Sequence, residues 1–219
     1  MTGSDRSSPT ASGSNGPTER TRRSHAERRE EAERRLIDAA VQIVAERGSE
    51  ALTLGDVGEA AGYSRGLPRH YFGRKTDLLA ALAQHIVDGF ANRMAQAFKE
   101  EPGLEAVLFG VRSYFDGIEQ GGTGGRALQI ALAEALTEPA LNGPMSEATQ
   151  RSVRRLAKML RQGMDKENIR GDIDPQAQAI AILATLRGAA ALWATDAEGV
   201  DVAAMRESYL TSLRRNLAA

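Results

Sequence analysis

The sequence predicts an all-α chain: a small three-helix domain followed by a larger helical one. Three observations carry that expectation. Apolar residues recur at three- and four-residue steps through most of the chain, the period of a helix that buries one face. No stretch reads as a strand, and there is no internal repeat. The stretch Thr53–Phe72, TLGDVGEAAGYSRGLPRHYF, has the shape of two short helices joined by a tight glycine turn.

The chain has 219 residues, enough for a sizeable core, and its 42% hydrophobic content is ordinary for a globular protein. It has no cysteine, which excludes disulfides, thiolate nucleophiles and Cys-ligated metals. No apolar run approaches the roughly 18 residues of a membrane span, and no apolar leader opens the chain. A soluble cytoplasmic protein is therefore expected. Residues 1–24 are rich in Ser, Thr, Gly and Pro and cannot bury enough surface to offset chain entropy, so they read as a disordered arm. Its basic cluster, Arg20, Arg22 and Arg23, fits either an arm that follows a DNA groove or a solubilising tail.

His25–Arg47 reads as the first helix. Its charged first half offers the i,i+4 pairs Glu30–Arg34 and Glu31–Arg35. Its second half supplies Leu36, Ile37, Ala40, Val41, Ile43 and Val44 to a core, and Gly48 ends it. In the next helix Leu54, Val57, Ala60 and Ala61 form one apolar stripe, capped by Thr53. Gly62 ends it in a conformation that glycine adopts without steric cost, and Ser64 can cap a third helix.

From Ala61 to Lys75 there are four basic residues, Arg65, Arg69, Arg74 and Lys75, and no acid. The whole chain carries a formal net charge of -1, so this excess is local. A helix-turn-helix with a basic second helix is a DNA-binding pattern, the second helix entering a major groove. Residues 25–73 are thus expected to be the DNA-binding domain, with its helix-turn-helix at 53–72, and 74–219 the second domain.

The run GYSRGLPRHYFGRKTDLLAAL resembles the signature of the tetracycline-repressor (TetR) family. The matching parts are Gly62, the short helix from Ser64 to His70, Tyr71-Phe72, Lys75 and Asp77-Leu78-Leu79, and the likeness extends over Glu27–Leu82. One departure stands out. Pro68 and Arg69 occupy the place of a Leu-Tyr pair common in the family. Proline has no N–H to return to Ser64 and crowds its carbonyl, which predicts a late start or a distorted first turn. The candidate DNA-contacting residues are Thr53, Ser64, Arg65, Gly66, Leu67, Arg69, His70, Tyr71 and Lys75. Arg65 is the candidate base reader, because a guanidinium can bridge guanine O6 and N7. Tyr71 and Lys75 are candidates for phosphate contact. Phe72 and Tyr63 are expected in the core.

Beyond the motif, Arg74 to about Lys99 reads as a fourth helix with Leu78, Leu79, Leu82, Ile86, Phe90 and Met94 on one face, a lever between the domains. Pro102-Gly103 breaks the pattern and Leu104–Ile118 resumes it. Gly121, Gly122, Gly124 and Gly125 read as a loop, Arg126–Leu136 as a short helix, and Asn142-Gly143-Pro144 as a turn. Met145–Asn168 follows, with Val153, Leu156, Leu160 and Met164 inward and Arg151, Arg154, Arg155, Lys158 and Arg161 mostly outward. Asp174 and Pro175 are placed to open a helix reaching about Trp193, and Val202–Leu217 is the last. The helix from Pro175 has apolar residues on more than one face.

The resemblance implies a homodimer formed through the last two helices, a palindromic double-stranded DNA operator, and a ligand-binding and dimerisation role for the C-terminal domain. It implies a transcriptional regulator, most often a repressor released by a small-molecule effector; an activator or a ligand-independent binder of the same fold stays open. Large or soft side chains on the middle helices are the candidate effector contacts: His85, Phe109, Tyr114, Phe115, Met159 and Trp193. No cofactor and no metal are expected. The three histidines, His25, His70 and His85, fall in different elements, and no nucleophile–base pair or carboxylate pair at fixed spacing suggests an enzyme.

Overall fold

The computed structural model describes residues 25–97 and 103–219; the basic arm of residues 1–24 lies outside them. All regular structure among the described residues is helical. The helices are α1 (His25–Arg47), α2 (Leu54–Ala60), α3 (Leu67–Phe72), α4 (Lys75–Ala97), α5 (Leu104–Glu119), α6 (Thr123–Glu134), α7 (Pro139–Asp165), α8 (Pro175–Thr195) and α9 (Val202–Leu217).

Helices α1 and α2 form where the sequence places them. The apolar half of α1 is buried, and Gly48, at φ 81°, turns the chain away from it. On its surface Arg34 pairs with Glu31 one turn back, and Arg35 lies over the Tyr63 ring. The hydrophobic interior falls into two clusters. The first joins Leu36, Ala40 and Val44 of α1 to Val57, to Leu78, Leu79 and Leu82 of α4, to Ala127 and Ala131 of α6, and to Leu141, Met145 and Ala148 of α7. The second joins α5, the later part of α7, α8 and α9 around Phe115, Leu160, Ile182 and Leu213. The motif's core is therefore closed by α4, α6 and the start of α7 as well as by its own three helices.

Two segments depart from expectation. The glycine run is not all loop: Gly121 turns at φ 68°, but α6 starts at Thr123 and takes Gly124 and Gly125 into its first turn. Gly124 lies against Ile86 of α4 at ordinary contact distance, and Ala127 and Ala131 seat α6 on the first cluster. The turn expected at Asn142-Gly143-Pro144 is absent, because α7 runs through it with Pro144 inside the helix. Pro144 gives up the bond to the carbonyl four residues back. The buried stripe Leu141, Met145, Ala148 holds the segment helical against that local preference. Packing overrides propensity in both places.

Helix α8 opens as expected, Asp174 accepting from the Gln176 and Ala177 N–H groups at 2.8 and 3.3 Å with Pro175 in the first turn. One sequence expectation needs correcting here: Pro175–Thr195 is long and apolar enough, by length and composition, to cross a membrane. Its inner face, Ala179, Ile182, Leu186 and Ala189, is instead buried in the second cluster.

Candidate nucleic-acid interface

The turn between α2 and α3 is built by backbone proximity. Thr53 Oγ1 accepts the Asp56 N–H at 3.1 Å and starts α2. Val57 and Ala61 are buried, while Ala60 of the expected stripe is exposed. Gly58 takes the inward place. A Cβ there would stand 2.5 Å from the Ser64 carbonyl oxygen, so only glycine permits this approach. The Tyr63 N–H donates to the Gly58 carbonyl at 2.8 Å and Gly62 sits at φ 78°, which fixes the direction of the chain into α3.

Ser64 does not cap α3. The helix starts three residues later, at Leu67, with Gly66 in the cap position and no side-chain cap bond. Pro68 is the cause: in the first helical turn its missing N–H costs nothing, and its ring is buried. The Ser64 carbonyl instead accepts the Leu67 N–H at 3.1 Å, closing a turn.

Of the sequence-predicted DNA residues, Thr53, Ser64, Arg65, Gly66, Arg69 and His70 are exposed. Leu67 is half-buried and packs on the first core, so it faces inward more than the sequence suggested. Tyr71 packs there too, its hydroxyl 3.4 Å from the Arg29 carbonyl and its ring under the Arg29 guanidinium. Lys75 Nζ lies 3.5 Å from the Glu50 carbonyl. Phe72 and Tyr63 pack against the core as expected.

Arg65 carries a feature that the local sequence conceals. Its guanidinium donates to Glu59 at 2.6 Å and lies 3.8 Å from Asp56, both on α2. The Glu59 hydrogen bond, and then the Glu59 charge, raise its pKa above the ordinary guanidinium value. The acid-free run from Ala61 to Lys75 therefore meets two carboxylates across the turn. Arg74 is also matched, bonding both oxygens of Asp77 at 3.0 and 3.1 Å and lowering that carboxyl's pKa.

Four of the six candidate effector residues, Tyr114, Phe115, Met159 and Trp193, belong to the second cluster, and His85 lies apart from it. His85 Nε2 lies 3.2 Å from Asp38 of α1, at the seam between α1 and α4. Phe115 is fully buried and packs on the Tyr209 ring, so it belongs to the second core. Met159 and Trp193 are half-buried against the same core, and Phe109 is exposed at 39%. Tyr114 stands edge-on to Phe90, and burial pushes its hydroxyl pKa up. A groove of about 610 Å³ lies elsewhere, between α7 and α8, and none of the six lines it. Among the described residues no group of His, Asp and Glu is placed to hold a metal ion.

Comparison with known proteins decides the family. The family of bacterial regulatory proteins named for tetR matches residues 36–82, and the C-terminal region of BetI-type transcriptional repressors matches residues 111–218. The chain belongs to the TetR family. The HTH-type transcriptional regulator BetI of Brucella canis is 36% identical to it over 67 residues, 31% of this chain and 34% of that protein. The regulator CymR of Pseudomonas putida is 34% identical over 98 residues, 43% of this chain and 48% of that one. The matches thus span a third to a half of these relatives.

Solved TetR-like structures extend the likeness to the whole fold. A Rhodococcus sp. TetR-family regulator superposes with a TM-score of 0.79 at 22% identity, covering 86% of this chain and all of the other. FadR of Bacillus subtilis, in complex with stearoyl-CoA, gives 0.72 at 22% identity, covering 84% and 98%.

Proposed function

We propose that the chain is a sequence-specific DNA-binding repressor that acts as a homodimer in the cytoplasm and is released from a palindromic operator by a small molecule. One observation carries the DNA-binding part. The exposed edge formed by the turn before α3 and by α3 itself, with Arg65, Arg69 and His70, is held on α2 by the Gly58–Ser64 approach. A basic edge so fixed can enter a major groove as a unit, and two copies related by a twofold axis would read two half-sites. In that act Arg65 leaves Glu59 for a base edge, while Tyr71 and Lys75 sit beside the backbone phosphates.

The dimer is supported by the outer face of α8. Ile180 and Leu192 are exposed at 52% and 55%, and Ala181, Ala184, Gly188 and Ala191 are exposed between them. An apolar stripe with small residues at its centre suits close packing against a twin helix. Release is supported by the TetR relatives, among them FadR, described with stearoyl-CoA. A ligand acts only through different affinities for two arrangements of the helices. Helix α4 is placed to carry the change, because it abuts α3 at one end and is tied to α7 by the Asp88–Arg155 pair at 2.6 Å.

The test is selection from a randomised duplex pool followed by fluorescence anisotropy at fixed salt. An inverted repeat bound at least ~10³-fold more tightly than random duplex is expected. Equal affinity for both would overturn sequence-specific recognition.

A further inference from the structure

Arg65 stands in the turn between α2 and α3. To read guanine, a guanidinium must turn two parallel N–H groups toward O6 and N7, so one edge of its fork has to be free. Here all three nitrogens turn toward α2 instead. Nη1 donates to Glu59 at 2.6 Å, and Nη2 faces Asp56 at 3.8 Å. The rest of the group lies over the first turn of the helix. A Cβ on Gly55 would stand 2.9 Å from Nη2 and 3.2 Å from Cζ and Nε.

Glycine weakens a helix, and the φ of Gly55 lies outside the left-handed region, so no turn requires glycine there. What its missing side chain provides is the flat space that the guanidinium fills. Gly55, Asp56 and Glu59 thus form a seat for one side chain. Seated, the two carboxylates outnumber the one cation. When Arg65 leaves, both carboxylates stay behind without it.

We propose that Glu59 is a positioning residue that holds Arg65 on α2 and off the duplex in the free protein, with Asp56 and the gap at Gly55 completing the seat. The proposal rests on the reading that the chain meets its operator through Arg65, and it adds a brake on affinity to that reading. Binding exchanges the Glu59 bond for contacts to DNA. The lost bond is subtracted from every complex in which Arg65 has moved. A random duplex on which Arg65 stays seated forfeits nothing, so the brake weakens the operator complex without adding discrimination. A complex weakened in this way comes apart for an effector of smaller differential affinity.

The experiment uses the full chain and the operator recovered by selection. Anisotropy titrations compare wild type, Glu59→Gln, Arg65→Gln and the double variant. Glu59→Gln is expected to tighten operator binding about twofold to fivefold, the range that an exposed ion pair supplies. Random duplex should gain no more than the operator does. Arg65→Gln should weaken operator binding, and in that background the Glu59 change should have no effect, because the bond it removes is already gone. The side-chain Nε–H resonance of Arg65, assigned by its loss in Arg65→Gln, should move in Glu59→Gln protein free of DNA. Asp56→Asn repeats the comparison across the longer distance, with a smaller gain, should Glu59→Gln not fold.

Weaker operator binding by Glu59→Gln would overturn the proposal, since Glu59 would then be aiming Arg65 at the duplex. So would an unchanged affinity or an unmoved resonance. A gain that survives in the Arg65→Gln background, or that is larger on random duplex, would also overturn it by marking general charge repulsion. The two readings fail separately. Wild type that binds every duplex alike sinks sequence-specific recognition, whereas an Arg65 resonance indifferent to Glu59 sinks only the seat.

Discussion

The two hydrophobic clusters are built differently. Around the first, arginine pairs are short in sequence: Arg34 with Glu31, Arg65 with Glu59, Arg74 with Asp77. Its geometry is set by backbone approach and caps, Gly58 against Ser64 and Thr53 under α2. Around the second, pairs join helices far apart in sequence, with Arg112, Arg206 and Arg214 linking α5 and α9. The Arg112 and Arg214 pairs are exposed and add little stability. The first half is thus fixed by the main chain. The second is tied by side-chain pairs between distant helices, and a groove lies between α7 and α8 at its surface. Helix α7 belongs to both, through Leu141, Met145 and Ala148 on one side and Val153, Ala157 and Leu160 on the other.

The sharpest challenge to this contrast is to damage each cluster in the same way. Leu79→Ala and Leu160→Ala each remove a fully buried side chain and should cost about 2–5 kcal/mol. Because α7 is shared, one calorimetric transition is expected in both variants. Two separate transitions would mean that the halves fold independently. A smaller change tests main-chain positioning. Gly58→Ala places a Cβ against the Ser64 carbonyl and should cost about 1–3 kcal/mol. Operator affinity should fall at least about tenfold while the dimer persists in sedimentation. Thr53→Ala removes the α2 cap and should cost about 1 kcal/mol in urea unfolding, with Thr53→Ser close to wild type.

The smallest effect is expected at the α4–α7 tie. Burial raises the Asp88 pKa, but the bonds from Arg155 and Gln84 and the charges of Arg155 and Arg151 outweigh it, leaving it lowered. A lowered folded-state pKa contributes stability above the unfolded value, about pH 4, that is lost as pH falls through the folded value. Asp88→Asn should therefore cost under about 1 kcal/mol at pH 7, the pair being partly exposed, and the difference should shrink below about pH 4. A difference that persists at low pH would show a packing effect rather than a charge effect.

What the sequence disclosed depended on how local the cause was. The glycine turn at Gly62, the Thr53 cap and the Asp174-Pro175 start each rest on a few adjacent residues, and each was legible. The starts of α6 and α7 were not, since Ala127 and Ala131 of α6 and the Leu141–Met145–Ala148 stripe of α7 act through partners distant in the chain. Arg65 was legible as an exposed base, though it lies in the turn ahead of α3 rather than on the helix. Its tie to Glu59 was hidden because the two residues meet only across a turn of defined geometry. The least visible feature was a polar cluster in the second half. Tyr114, Gln129, Thr149 and Arg187 come from four helices, and no spacing announces them. The one signal available was an arginine within an otherwise uncharged helix.

The bare outer stripe of α8 has a cellular consequence. If two chains must meet before either can hold an operator, the amount of competent reader scales with the square of chain abundance while monomers predominate. A modest fall in synthesis would then lift control far more steeply than in proportion, before any effector arrives.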